Sequence, residues 1–412
     1  MVVTADSLKP SRSSKPEPIR TGEDFPKKFS QNSSVAELFR NILLTFKLIL
    51  VASAVVIQFI VLKKITLIML RLLLIMFNLL ILLNLSLCIG VFGRHSTGKE
   101  IVDYYADEQK KDNKMLLNGK TYIVTGGNSG VGLQTCKALA ASGGRVIMCT
   151  RSIKAGYDAI ENEIKKAGYG KYMVSDTSNI VVKELDLESL ASIKKFAADI
   201  RRSEKSIDVL ILNAGLMSLP KLVRTKDFNI ERQMAVNHFG HAALTRLLLP
   251  VMKKSKRNTR IIYLSSSAHR FGNKNLMNEL YSNIRYIPWI SYGQSKLANM
   301  LYAKGLAKHL LDTGYEKITA LSVHPGVITS TNLFSQSLAT RIFSLLPGDR
   351  NMAQSASSSV WASVAPELDN KECRGAYIFN CKVTVPNSNG RDDRLRDEVW
   401  SVTENILNKA GI

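Results

Sequence analysis

Thr121-Tyr-Ile-Val-Thr125, followed by Gly126-Gly127-Asn128-Ser129-Gly130-Val131-Gly132, decides the fold. The first five residues are a short β-branched and aromatic run, the composition of a buried strand. The next seven place Gly126, Gly130 and Gly132 in the spacing G-x-x-x-G-x-G, and Val131–Ser142 continues at helical spacing. A glycine-rich turn between strand and helix lets backbone approach a pyrophosphate, and the helix start offers free N–H groups at its positive end. Thr125, Gly126, Asn128, Ser129, Gly130, Val131 and Gly132 are therefore candidate dinucleotide-binding residues.

Working outward, apolar strands alternate with amphipathic helices. Strands are expected at Arg145–Cys149, Ile180–Leu185, Val209–Leu212, Arg260–Leu264, Ile318–Val323 and Ala376–Phe379. Helices are expected at Glu188–Arg202, in a long segment ending near Lys254, and around Lys296–Leu310, with a charged outer helix after 391. This order implies an α/β, Rossmann-type doubly wound parallel sheet. The second strand is followed by Thr150-Arg151, with no acid there. An acid at that place bonds a ribose 2′-hydroxyl, whereas a basic residue accommodates a 2′-phosphate. Arg151 thus points to NADP(H) over NAD(H).

The N-terminal quarter is different. Residues 1–40 are rich in Ser, Pro and Lys and read as a disordered tail. Residues 41–92 contain two apolar runs of 21 residues, Ile42–Leu62 and Leu72–Phe92. Each would be ~31 Å long as a helix, against a bilayer core of about 30 Å. A transmembrane anchor of one or two helices is expected, the short basic loop Lys63–Arg71 leaving number and orientation open. A linker (93–117) and one folded domain (118–412) follow. The 412 residues carry a net charge of +22, spread along the chain. That suits an anionic membrane or a phosphorylated cofactor, and no nucleic-acid-binding motif accompanies it. Five scattered cysteines exclude a disulfide scaffold, and no metal-ligand spacing is present.

The ordered motifs resemble the short-chain dehydrogenase/reductase family. They are Thr125–Gly132, Asp186-Leu187 after the third strand, Asn213-Ala214-Gly215 after the fourth, and Asn237 in Val236-Asn-His-Phe-Gly240. A serine run follows the fifth strand, then Tyr292-Gly-Gln-Ser-Lys296, then His324-Pro325-Gly326. Within the family the chain is similar to the retinol dehydrogenase-like branch, through Val236–His241, Ser265-Ser-Ser-Ala-His269, His324–Gly326, Ala365-Pro-Glu367 and Gly375-Ala-Tyr377.

The resemblance implies hydride transfer between a nicotinamide cofactor and an alcohol–carbonyl pair, with Tyr292 as acid/base. A free phenol titrates near ~10. Lys296, at i,i+4 on the same helix face, together with oxidised nicotinamide, would have to lower it by ~3 units, or ~4 kcal/mol. Ser266 is the family's substrate-polarising serine, with Ser265 and Ser267 flanking it on the opposite face if the strand continues. Asn237 would help hold a water linking Lys296 to solvent. Asn213, Ala214 and Gly215 would sit beside the adenosine ribose, and Asp186 and Leu187 beside adenine, unless Asp186 simply caps the next helix. Tyr292, Lys296, Pro325, Gly326, Ile328 and Ser330 complete the cofactor contacts. His324 is expected to be structural, and Cys373 and Cys381 to lie on core strands. Residues 327–350 are expected to form an apolar lid, favouring a lipophilic substrate of retinoid, sterol or polyprenoid type. The expected location is the endoplasmic reticulum membrane with the domain facing the cytosol, a lipid-droplet surface being the hairpin alternative. A non-catalytic NADP(H)-binding scaffold is the rival reading, and oligomeric state is left open.

Overall fold

The computed structural model describes residues 44–54, 92–108, 116–164, 179–281, 286–327 and 350–412. Its strands are β1 (Thr121–Thr125), β2 (Arg145–Thr150), β3 (Ile180–Glu184), β4 (Val209–Leu212), β5 (Thr259–Leu264), β6 (Ile318–His324), β7 (Tyr377–Phe379) and β8 (Lys382–Thr384). They form one sheet in the order β3-β2-β1-β4-β5-β6-β7-β8. All neighbouring pairs are parallel except β7 and β8. The order reverses between β1 and β4, the topological switch point beside which such sheets bind ligands.

Strand alternation builds a core on each face. Ile123, Ile147, Leu210 and Ile261 face one core, whereas Tyr122, Val124, Met148, Ile211 and Ile262 face the other. The helices around the sheet are α1 (Gly98–Glu108), α2 (Gly130–Ala141), α3 (Ile153–Ala159), α4 (Leu190–Ser203), α5 (His241–Met252), α6 (Pro288–Asp312), α7 (Ser357–Val364) and α8 (Asp393–Lys409). A wide π-helical turn, Ala235–Gly240, leads into α5. Helices α4, α5, α6 and α8 contribute to the first core, and α1, α2 and α7 to the second. The charged helix α8 buries Leu395, Val399, Thr403 and Leu407, a stripe at every fourth residue, and stacks Trp400 on Tyr302 of α6.

Three sequence expectations are adjusted. The segment read as a linker contains α1, whose Ile101, Val102, Tyr105 and Ala106 are buried, so packing begins upstream of residue 118. Phe92, the last residue of the second apolar run, packs against Tyr104 and Tyr105 with ring centroids 5.0 and 5.8 Å away. It belongs to the folded unit. Cys373 ends a 3-10 turn and Cys381 sits in the β7–β8 turn, so both are buried but not on strands. Among the described residues no helix is long and apolar enough to cross a membrane. Of the two apolar runs only 44–54, which is helical, and Phe92 are described; the disordered-tail reading of 1–40 and most of the lid also lie outside the described residues.

Candidate active site

At the switch point a cavity of about 750 Å³ opens between the ends of β1, β2 and β4 on one side and β5, α6 and β6 on the other. Thr125, Gly126, Asn128, Ser129, Gly130, Val131, Arg151, Asp186, Leu187, Asn213, Ala214 and Gly215 line the first part. Gly126 (φ +63°) and Gly130 (φ +55°) occupy left-handed backbone that side chains resist. Ser129, the N-cap of α2, makes no side-chain capping bond, and Gly130 and Val131 of the first turn line the cavity. These features fit a pyrophosphate. Gly132 does not line the cavity. A Cβ there would stand 2.2 Å from the Gly126 carbonyl oxygen and 2.4 Å from Asn213 Nδ2, so this glycine permits close packing beneath the turn.

Asn213 is likewise a support: its Nδ2 donates to the Thr125 carbonyl at 2.8 Å and the Gly126 carbonyl at 3.3 Å. Asp186 lines the cavity while its Oδ1 accepts from Glu188 N at 3.0 Å. The N-cap of α4 is Ser189, so Asp186 closes the turn before the helix rather than capping it. Arg151 is exposed at the cavity edge, and the neighbouring Ser152 caps α3 by accepting from Ala155 N.

The second part holds Ser266, Tyr292, Lys296, Pro325 and Gly326. Pro288 starts α6 at a position where a missing N–H costs nothing, and places Tyr292 and Lys296 one turn apart. Strand β5 ends at Leu264, but Ser265 N still donates to the Val323 carbonyl and Ser266 stays extended, so only Ser267, which starts a 3-10 helix, leaves the strand pattern. Ser265 donates to the Lys296 carbonyl at 2.8 Å, Ser266 caps the 3-10 helix Ser267–Phe271, and all three serines border the cavity. Ser266 lies close enough to the Tyr292 hydroxyl to favour its ionised form. Lys296 Nζ lies 5.6 Å from the Tyr292 ring centroid and donates to the Leu264 carbonyl at 3.0 Å.

The nicotinamide charge aside, burial dominates the electrostatics of the chain's own groups. Burial pushes the Tyr292 phenol up to about 12, with Ser266 acting in the opposite direction. Burial alone lowers Lys296 to about 8. Desolvation by the fold outweighs any lowering of the phenol by the chain's own lysine.

Asn237, in the π turn, does not line the cavity. Its side chain clamps both backbone groups of Leu216 and donates to Ser295 Oγ at 2.9 Å. Ile328 and Ser330 lie outside the described residues. His324 is buried, accepts from Gly326 N at 3.3 Å and stacks on Phe379; burial holds it down to about 3, in keeping with a structural role. The sequence reading missed Leu216, Met217, Ala268, Phe271 and Trp289, which with Val327 of the expected lid make up apolar lining of the same cavity as Tyr292. Met217, Ala268 and Tyr292 pack as a small cluster with Trp289, apart from the two main cores. Trp289 is three residues before Tyr292 on the same helix, and that spacing was the one signal available.

The sequence profile of the short chain dehydrogenase family matches residues 120–341. Mouse retinol dehydrogenase 12 is 36% identical over 296 residues, spanning 71% of this chain and 87% of the relative. The chloroplastic short-chain dehydrogenase TIC 32 A of Brassica napus is 36% identical over 299 residues, spanning 70% and 88%. A crystal structure of an uncharacterized protein from Mycobacterium paratuberculosis shares 30% identity with a TM-score of 0.54, covering 72% of this chain and 96% of that one. With the glycine turn, the Tyr292–Lys296 helix and the serine run around one cavity, the chain belongs to the short-chain dehydrogenase/reductase family, as an oxidoreductase that uses a nicotinamide nucleotide on CH–OH or carbonyl groups and has retinol dehydrogenases among its relatives.

Proposed function

We propose that the protein is a membrane-anchored, NADP(H)-dependent oxidoreductase that interconverts a lipophilic alcohol and its carbonyl, of retinoid, sterol or polyprenoid type. The observation that carries this reading is the apolar wall of Leu216, Met217, Ala268, Phe271, Trp289 and Val327 beside the Tyr292 hydroxyl. A wall of that kind favours an extended hydrocarbon over a small polar substrate. Arg151 at the ribose end, with no acid at the end of β2, supports the 2′-phosphate. The anchor rests on the two apolar runs, and the helical stretch 44–54 leaves Leu44, Phe46, Leu48, Ile49 and Leu50 exposed, as a bilayer-facing surface would.

When bound, the nicotinamide would supply the hydride and, once oxidised, a positive charge. Tyr292 holds its proton at neutral pH and donates it to the substrate oxygen as the alkoxide forms. Ser266, which lines the cavity with Tyr292, orients that oxygen. Lys296, anchored on the Leu264 carbonyl, keeps a cation near the site while protonated. A neutral buried phenol suits carbonyl reduction, because oxidation needs the phenolate that burial disfavours. The test is NADPH oxidation by the full chain in detergent with all-trans-retinal, long-chain ketones and short aldehydes. Turnover should rise with apolar length, and Trp289→Ala should raise KM for the long members roughly tenfold, as loss of about 1.4 kcal/mol of apolar contact predicts. Equal turnover of short and long carbonyls would refute the lipophilic reading.

A further inference from the structure

His241, the first residue of α5, is fully buried and lines no part of the cavity, yet it joins two residues that shape it. Thr125 Oγ1 accepts from Ala214 N at 2.9 Å, which leaves its own proton for His241 Nε2, also at 2.9 Å. An Nε2 that accepts must be bare, so the ring proton sits on Nδ1, which lies 2.9 Å from the Asn237 carbonyl and donates to it. Beyond that carbonyl the Asn237 side chain accepts from Leu216 N at 2.7 Å and donates to Leu216 O and Ser295 Oγ, each at 2.9 Å. Ser295 in turn donates to the Tyr292 carbonyl at 2.7 Å.

The result is a closed frame around Asn213–Leu216. Thr125 holds the segment at Ala214, Asn237 holds it at Leu216, and His241 fixes the distance between the two holders. Gly215, midway, faces the site so closely that a Cβ would lie 3.3 Å from Asn237 Oδ1 and 3.5 Å from Lys296 Nζ. We propose that His241 is a positioning residue, which sets the Asn213–Leu216 wall against Lys296 and couples the nucleotide turn to the Tyr292 helix. The proposal rests on the family's tyrosine chemistry and not on the lipophilic substrate. Imidazole suits the task because one rigid ring carries an acceptor and a donor on opposite sides, and burial, holding it down to about 3, keeps it neutral at physiological pH.

Two variants separate the two bonds. His241→Gln can still accept from Thr125 at the far position, and His241→Asn can still donate to the Asn237 carbonyl at the near one. Full-length protein in detergent would be compared by hydrogen exchange without cofactor, by NADPH binding, and by turnover of retinal. In both variants amides in 213–217 should exchange about tenfold faster, the effect of one buried hydrogen bond, while 145–150 and 180–184 stay as in the wild type. The value of kcat should fall about 10- to 100-fold, as for a small misplacement of reacting groups, and by more than NADPH affinity does. Wild-type exchange at 213–217, or uniform acceleration through the whole fold, would overturn the proposal. If wild-type protein turns over no carbonyl, the lipophilic-substrate reading fails and the exchange pattern alone decides the role of His241.

Discussion

Gly132→Ala tests whether the nucleotide turn is shaped from beneath. The added methyl would meet the Gly126 carbonyl oxygen at 2.2 Å and Asn213 Nδ2 at 2.4 Å. Reaching an ordinary van der Waals separation requires about 1 Å of retreat, and backbone stands on one side. Retreat by Asn213 breaks its bonds to the Thr125 and Gly126 carbonyls. Retreat by Gly126 instead moves the turn that faces the pyrophosphate. Overpacking of this kind costs about 1–3 kcal/mol, hence about 5- to 150-fold weaker NADPH binding if the strain is relieved only in the cofactor-free turn. The assay is NADPH titration by fluorescence, with melting temperature measured alongside. Gly93→Ala is the control, because a Cβ there meets nothing within 4 Å. Binding by Gly132→Ala equal to wild type would refute the claim that this glycine sets the turn.

Arg151→Ala should weaken NADPH binding by roughly tenfold or more and leave NADH unchanged, since only the 2′-phosphate bond is lost; equal loss for both cofactors would contradict that role. For carbonyl reduction, kcat/KM should be level in acid and fall as pH rises through about 8, where Lys296 loses its proton. Tyr292, held near 12, stays protonated across that range. A profile with no break near 8, or one rising there, would count against the assignment. Removal of residues 1–91 should release a soluble, NADPH-binding domain, whereas Phe92→Ala in that background should cost about 3 kcal/mol of stability because its ring packs on Tyr104 and Tyr105.

Strands were legible because their period-two pattern is strong and two-sided: Tyr122 and Val124 go to one core, Ile123 to the other. Strand β8 was missed since three residues, Lys382–Thr384, carry almost no periodic signal. Helix α1 was read as linker although Ile101, Val102, Tyr105 and Ala106 recur at helical spacing, because it is short and follows a far stronger apolar segment. In the site, motifs at strand ends could be read directly, since a parallel sheet gathers those ends beside the switch point. Apolar residues such as Met217 and Phe271 could not. A methionine facing a cavity and one facing a core look alike until the chain is folded. The serine run could be read only conditionally for a related reason, as alternation beyond Leu264 depended on a strand end that only packing fixes. The Tyr292 shift shows the same limit, because Lys296 at i,i+4 announces proximity but says nothing of how deeply both are buried.

The central claim is that Tyr292 protonates a lipophilic carbonyl during reduction by NADPH. Tyr292→Phe removes one hydroxyl from a ring otherwise packed against Met217 and Ala268, so the fold and NADPH binding should persist. Measured beside wild type with NADPH and all-trans-retinal, the variant should lose at least about 100-fold in kcat, the usual contribution of a positioned acid. Undiminished turnover in a variant that binds NADPH like wild type would contradict the account.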